Sequence, residues 1–314
     1  MSNVALAVIV AVFAASEGRS VEPPPFSPAA LRSRPTGGKH AEQVISVFPP
    51  GGKEFEISLP WIPRWFAFGR SGRSVYATAL REIGPKSFTD QRGMFKVELE
   101  PVRVSTIAGL DAFYSIAPFA VSQSEDFIVF DGAKGNYPAG SCGVYKLDLP
   151  TGDIRPVIET SDCLAGSPWR VLSLSPEGTE ALILANRRLA LLDLERASIM
   201  KLEGWLTSGS FSPDGKWIAA LEVRNPKPPR TILIDRTDLA RRRDLGRASN
   251  NQTVWSPDSK VLLQTVWESA CPNQNPLALE TVEVQTGNRS LIKNSICHCD
   301  SSGHIGWVRS DLRR

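Results

Sequence analysis

Histidine is scarce in this 314-residue chain, with three in all: His40, His298 and His304. No Gly-x-Ser-x-Gly elbow and no His-Glu-x-x-His segment occurs, which removes the local signatures of serine hydrolases and zinc peptidases. An excess of either charge is also missing. Thirty-six Lys and Arg against 33 Asp and Glu leave +3, too little for a nucleic-acid footprint, so no nucleic-acid partner is expected. The apolar run Val4 to Ala15 falls short of the roughly 20 residues a membrane span needs. It sits in an uncharged Met1 to Ser16 and ends in Ala14-Ala15-Ser16, the pattern of a secretory signal peptide, although Lys and Arg are absent from its start. Residues 1–16 are therefore expected to be a cleaved signal, with an uncleaved anchor as the alternative. Cleavage would leave no transmembrane span and a secreted or periplasmic protein. Four glycines, Gly132, Gly135, Gly140 and Gly143, lead into a strand pattern, whereas a phosphate cradle leads into a helix. No cofactor is expected.

What the chain has instead is a repeated hairpin. Ser210 to Leu221 reads Ser-Phe-Ser-Pro-Asp-Gly-Lys-Trp-Ile-Ala-Ala-Leu, a strand end, a turn and a second strand. Pro213 presets φ for a turn, Asp214 can bond nearby backbone N–H groups, and Gly215 suits a position with φ above zero. Copies occur at Leu174-Ser175-Pro176-Glu177-Gly178, at Trp255-Ser256-Pro257-Asp258-Ser259 and, more weakly, at Val121 to Glu125. Fainter ones lie at Phe68-Gly69-Arg70-Ser71-Gly72 and Trp307 to Asp311. They recur at intervals of 37 to 53 residues, which brackets the roughly 40 to 50 of a four-stranded propeller blade.

A second pattern falls between the copies. Val144 to Leu149 alternates like a strand and ends in Pro150-Thr151-Gly152, and Thr281 to Val284 precedes Gln285-Thr286-Gly287. Leu189 to Leu194, Thr231 to Asp235 and Met94 to Leu99 alternate likewise. Each unit thus reads as four antiparallel strands.

These residues resemble the WD40-like Pro-Asp repeat, the SPDG blade of TolB-type β-propellers, from about Val44 onward. The resemblance implies an all-β propeller, with six blades expected and five or seven as alternatives. Residues 43–314 would form it. Val44 to Phe48 and Glu54 to Leu59, lacking an inner hairpin, would join the C-terminal strand and leave no open edge at the seam. Residues 17–42, with Pro23-Pro24-Pro25, Pro28, Pro35 and Gly37-Gly38, read as a flexible lead. The turn residues Pro176, Gly178, Pro213, Asp214, Gly215, Pro257 and Asp258 are assigned structural roles, and Glu177 is grouped with Asp214 and Asp258 as turn-capping.

The five cysteines complete the inventory. Cys142 begins the third strand of its unit and Cys163 follows the fourth, ends that adjoin in an antiparallel hairpin. Cys271 and Cys297 fall near equivalent positions in a later unit. Two disulfides are expected, Cys142 to Cys163 and Cys271 to Cys297 or Cys299, in an oxidising compartment. Cys297-His298-Cys299-Asp300 with His304 is the one cluster with metal-ligand chemistry, but its tight Cys-x-Cys bite favours a disulfide and a spare thiol over zinc, so no metal is expected. The eight tryptophans read as packing between blades, with one at a channel mouth as a possible platform for a sugar ring. Arg241-Arg242-Arg243 reads as a solvated outer run, with an anionic surface as its functional alternative. Family members include periplasmic scaffolds, sensors and the propeller domains of peptidases, so the motif speaks to fold more than to function; the favoured reading is a monomeric, non-enzymatic scaffold binding a protein, peptide or glycan. The alternative is an enzyme acting on a small metabolite or sugar at the channel mouth. A channel with three or more convergent acids or histidines would favour the enzyme.

Overall fold

The computed structural model describes residues 26–34, 42–47, 55–59, 63–82, 88–135, 140–161, 163, 167–224, 227–248, 253–267, 276–297 and 305–309. Every regular element among them is a strand. Three come first, β1 (Phe26–Arg34), β2 (Glu42–Val47) and β3 (Phe55–Leu59). Blade 2 is β4 (Pro63–Phe68), β5 (Ser74–Glu82), β6 (Phe88–Leu99) and β7 (Val102–Ile107). Blade 3 is β8 (Phe113–Val121), β9 (Phe127–Lys134), β10 (Ser141–Asp148) and β11 (Ile154–Thr160). Blade 4 is β12 (Trp169–Leu174), β13 (Glu180–Ala185), β14 (Arg188–Asp193) and β15 (Ile199–Lys201). Blade 5 is β16 (Leu206–Phe211), β17 (Trp217–Arg224), β18 (Lys227–Asp235) and β19 (Arg242–Arg247). Blade 6 is β20 (Thr253–Trp255), β21 (Val261–Trp267), β22 (Pro276–Glu283) and β23 (Arg289–Cys297). The last strand, β24 (Ile305–Arg309), completes blade 1 in the order β24-β1-β2-β3.

Six four-stranded antiparallel sheets result. Their first strands touch in sequence, β4 to β8, β8 to β12, β12 to β16, β16 to β20, β20 to β24 and β24 back to β4, which closes a β-propeller. Apolar clusters fill the spaces between sheets. Leu182, Leu189 and Leu191 of blade 4, for example, meet Leu206, Phe211 and Ile218 of blade 5. Full burial of each such side chain stabilises by about 1.5–3 kcal/mol.

The seam corrects the expected domain limits. β1 lies inside the stretch read as a flexible lead, and it is this strand, not β2, that pairs with the C-terminal strand. Pro28 faces Trp307 of β24, whereas pairing to β2 starts only at Ala29. The missing proline N–H therefore has a sheet neighbour on one side alone, and the strand tolerates it. Ala29, Ile45 and Val47 are buried against the sheet's neighbours.

Each repeated turn is organised by its serine more than by its proline. Ser122, Ser175, Ser212 and Ser256 are all buried. Ser212 Oγ donates to Asp214 Oδ1 at 2.7 Å and accepts from Trp217 N at 2.9 Å. Ser256 repeats the pattern with Asp258 at 2.6 Å and Val261 N at 2.9 Å. Ser122, in a copy without proline or glycine, accepts from Phe127 N at 3.1 Å and donates to Asp126 at 2.6 Å. One hydroxyl thus occupies both polar duties at the strand crossing, where water is excluded.

Candidate functional site

The ends of the first strands and the turns after them surround a central cavity of about 290 Å³. Its lining alternates hydroxyls with aromatic rings: Ser173, Ser175, Ser208, Ser210, Ser212 and Thr253 beside Phe66, Phe68, Phe119, Phe211, Trp255 and Trp307. Several of these hydroxyls are committed to holding neighbouring blades together. Ser173 Oγ accepts from Phe211 N at 3.2 Å, joining blades 4 and 5. Ser210 Oγ donates to the Thr253 carbonyl at 3.0 Å, while Trp255 Nε1 donates to the Ser210 carbonyl at 3.1 Å, joining blades 5 and 6. Arg70 is the one ionisable side chain among the described residues that line the cavity. It stands where the better copies of the motif carry proline, and its Nη2 reaches the Pro257 carbonyl at 3.2 Å. That bond links blade 2 to blade 6 past the seam sheet. Burial holds the guanidinium below its ordinary pKa, yet it stays charged at neutral pH.

Around the mouth, residues that depart from the turn motif latch one blade to the next. The motif's glycine position has φ of +72° at Gly215 and Gly178, and the same left-handed backbone persists at Glu125 (+57°) and Ser259 (+62°). At Gly215 an added Cβ would lie 2.9 Å from Glu177 of the preceding blade, so this position faces the neighbouring turn. Ser259 uses that proximity to accept from Asp214 N at 2.9 Å. Glu125 does the same with Ser71 N at 2.9 Å and also accepts from Ser74 Oγ at 2.6 Å and Tyr76 hydroxyl at 2.9 Å. Glu177 does not stand with Asp214 and Asp258 as a simple turn cap, because it pairs with Arg236 of blade 5 at 2.9 Å. Arg236 also holds Glu180 at 2.7 Å.

Burial raises the Glu125 carboxyl, but hydrogen bonds from Ser74, Ser71 and Tyr76 outweigh it and the net shift is downward. A carboxylate lowered on folding contributes stability above its ordinary pKa and loses it as pH falls through the folded value. Glu125→Ala should therefore cost about 2 kcal/mol at pH 7, since three donors are left unpaired at the junction of blades 2 and 3. Glu125→Gly should cost less, because it relieves the left-handed backbone. Urea unfolding of both variants at pH 7 and pH 3 checks this, and the gap to wild type should narrow at the lower pH.

The remaining sequence candidates are dispersed. Cys142 and Cys163 form a disulfide with Cα atoms 5.9 Å apart, pinning the start of β10 to the chain beyond β11. Cys271, His298, Cys299, Asp300 and His304 lie outside the described residues, and no metal-binding group of His, Cys, Asp and Glu occurs among the described ones. Arg242 of the basic run donates to the Glu203 carbonyl at 3.0 Å, and Arg241 lies 3.5 Å from Asp235. Trp205 departs from the packing role, being 63% exposed, with Arg188 stacked 3.6 Å from its ring centre. No described helix is long and apolar enough to cross a membrane. Arg70 and the serine hydroxyls escaped the sequence reading as a site because they become neighbours only when six distant strands are brought together.

No protein-family model and no curated protein matches the chain. Among solved structures it is similar to TolB from Acinetobacter baumannii, with a TM-score of 0.65 and 14% identity, over 90% of this chain and 66% of that one. A putative TolB from Agrobacterium tumefaciens gives 0.60 and 11%, over 82% and 94%. Oligogalacturonate lyase from Vibrio parahaemolyticus gives 0.56 and 8%, over 93% and 87%. What the chain shares with these structures is the fold, a β-propeller.

Proposed function

We propose that this chain is an exported, TolB-like propeller that acts as a binding scaffold of the cell envelope, receiving a protein, peptide or glycan at the mouth of its central channel. The observation that carries the reading is the channel lining itself. Hydroxyls and aromatic faces arranged around a cavity near the small end of the usual ligand-pocket range of roughly 300–1,000 Å³ suit recognition of a small group or chain end. The disulfide between Cys142 and Cys163 supports export to an oxidising compartment. The signal assigned to residues 1–16 lies outside the described residues.

Affinity capture from envelope extract, with mass-spectrometric identification, tests this reading. Ser208→Trp, which places an indole in the channel, should abolish recovery of the partner that wild type retains. A deletion that tests whether the N-terminal lead contributes to capture must stop before Phe26, because β1 is part of blade 1. Equal recovery by wild type and Ser208→Trp would sink the channel as the binding site. Turnover of an envelope sugar or lactone by wild type, lost in Ser208→Trp, would favour the enzyme instead.

A further inference from the structure

The hydrogen-bonding capacity of the channel is unbalanced. Arg70 brings five N–H donors to its mouth, and the bond that the structure gives it is the one to the Pro257 carbonyl. No carboxylate among the described residues pairs with it, in contrast to Arg236 and Arg289, which each hold an acid. The lining therefore holds surplus donors and a positive charge, with no acid among its described residues. A partly desolvated guanidinium is costly unless an anion completes it, and its planar fork matches a carboxylate bidentately.

We infer that the channel mouth is a carboxylate site, with Arg70 as the anchor and the hydroxyl and aromatic lining receiving the body that carries the carboxylate. The inference rests on the channel being the binding site, and it adds the chemistry of what enters. The cavity volume suits a body of one sugar ring or two amino-acid residues. A uronic acid and the C-terminus of a peptide share this chemistry, and the test separates them.

Calorimetric titration of wild type would use D-galacturonate against D-galactose, and N-acetyl-dialanine against its C-terminal amide. At least one acid should bind about tenfold or more tightly than its neutral counterpart, the strength of a charge-assisted pair. Preference confined to galacturonate identifies a sugar acid, preference confined to the free dipeptide identifies a chain end, and preference for both shows that the carboxylate alone is read. Arg70→Gln should erase the preference and Arg70→Lys should keep part of it. Should Arg70→Gln fail to fold, the wild-type comparison and Arg70→Lys still decide.

Equal affinity of wild type for acid and neutral forms, or no binding of any probe at millimolar concentration, would overturn the inference, as would a preference that survives Arg70→Gln. Loss of the captured partner in Ser208→Trp with no acid preference would leave the scaffold reading standing and remove this one. Acid binding blocked by Ser208→Trp while partner capture persists would do the reverse.

Discussion

Asp131→Asn should stabilise the protein at pH 8 by as much as about 4 kcal/mol and leave it nearly unchanged at pH 4. Asp131 lies in β9, 5% exposed, with Oδ1 buried and without a hydrogen-bond partner among the described residues. Burial pushes its carboxyl from 3.8 up to about 7, and a hydrogen bond from Ser167 and the charge of Arg170 offset this only in part. The sign follows from the two states. Below pH 4 both folded and unfolded chains hold the proton, and the group contributes nothing. Between about 4 and 7 the unfolded chain gives up its proton while the folded chain keeps it, so stability falls as pH rises. Above 7 the full cost of a buried charge is present. Asparagine has no proton to lose and retains an oxygen for Ser167. Guanidinium unfolding at pH 4, 6 and 8 should show the difference between variant and wild type growing with pH. Parallel profiles would mean that Asp131 is ionised without penalty.

Arg289→Ala should destabilise by about 3–5 kcal/mol, the cost of leaving a buried charge without its partner. Glu280 is 8% exposed in β22 and is bonded by Arg289 and by Gln264 Nε2, the latter at 2.6 Å. Gln264 in turn accepts from Thr231 Oγ1 of blade 5 at 2.6 Å and donates to the Arg247 carbonyl at 3.1 Å. Arg289 also donates to the carbonyls of Leu245 and Arg247. Its path requires Gly246, where φ is +92° and a Cβ would lie 2.7 Å from the guanidinium. One network thus ties blade 6 to the outer strand of blade 5. Burial already raises the Glu280 carboxyl, against the pull of Gln264 and Arg289. Removing the arginine raises it further, so the deficit of Arg289→Ala should be larger at pH 8 than at pH 5. Glu280→Gln combined with Arg289→Met should recover much of the loss, because the buried charge goes with its partner. A deficit in Arg289→Ala that the double variant does not reduce would contradict this account.

The architecture was readable in the sequence because a hairpin declares itself locally. Proline, aspartate and glycine at fixed offsets between apolar runs mark a turn, and their recurrence marks a ring. What the pattern concealed was the order of importance among those residues. Ser122 keeps its buried hydrogen bonds where proline and glycine are both gone, whereas Glu125 and Ser259, standing at the motif's glycine position, connect adjoining turns. That role depends on the next blade, some forty or fifty residues away, and no local rule reaches so far. β1 was missed for a related reason: proline content argues against a strand when its neighbours are unknown, and Pro28 is accommodated only because β2 begins pairing one residue later. The channel was the least legible part. Arg70 belongs to one of the poorest copies of the repeat, and its setting is made by five other segments.

Blade 1 takes three strands from early in the described chain and one from late in it. As the polypeptide is synthesised, five blades can assemble while the first still waits for its innermost strand. The contact that locks the circle, Phe26 opposite Arg309, is also the most distant along the sequence, and such contacts form late because the loop they close is long. A chain that loses its final few residues would keep most of its hydrophobic interior and still present an open edge, ready to take a strand from another molecule.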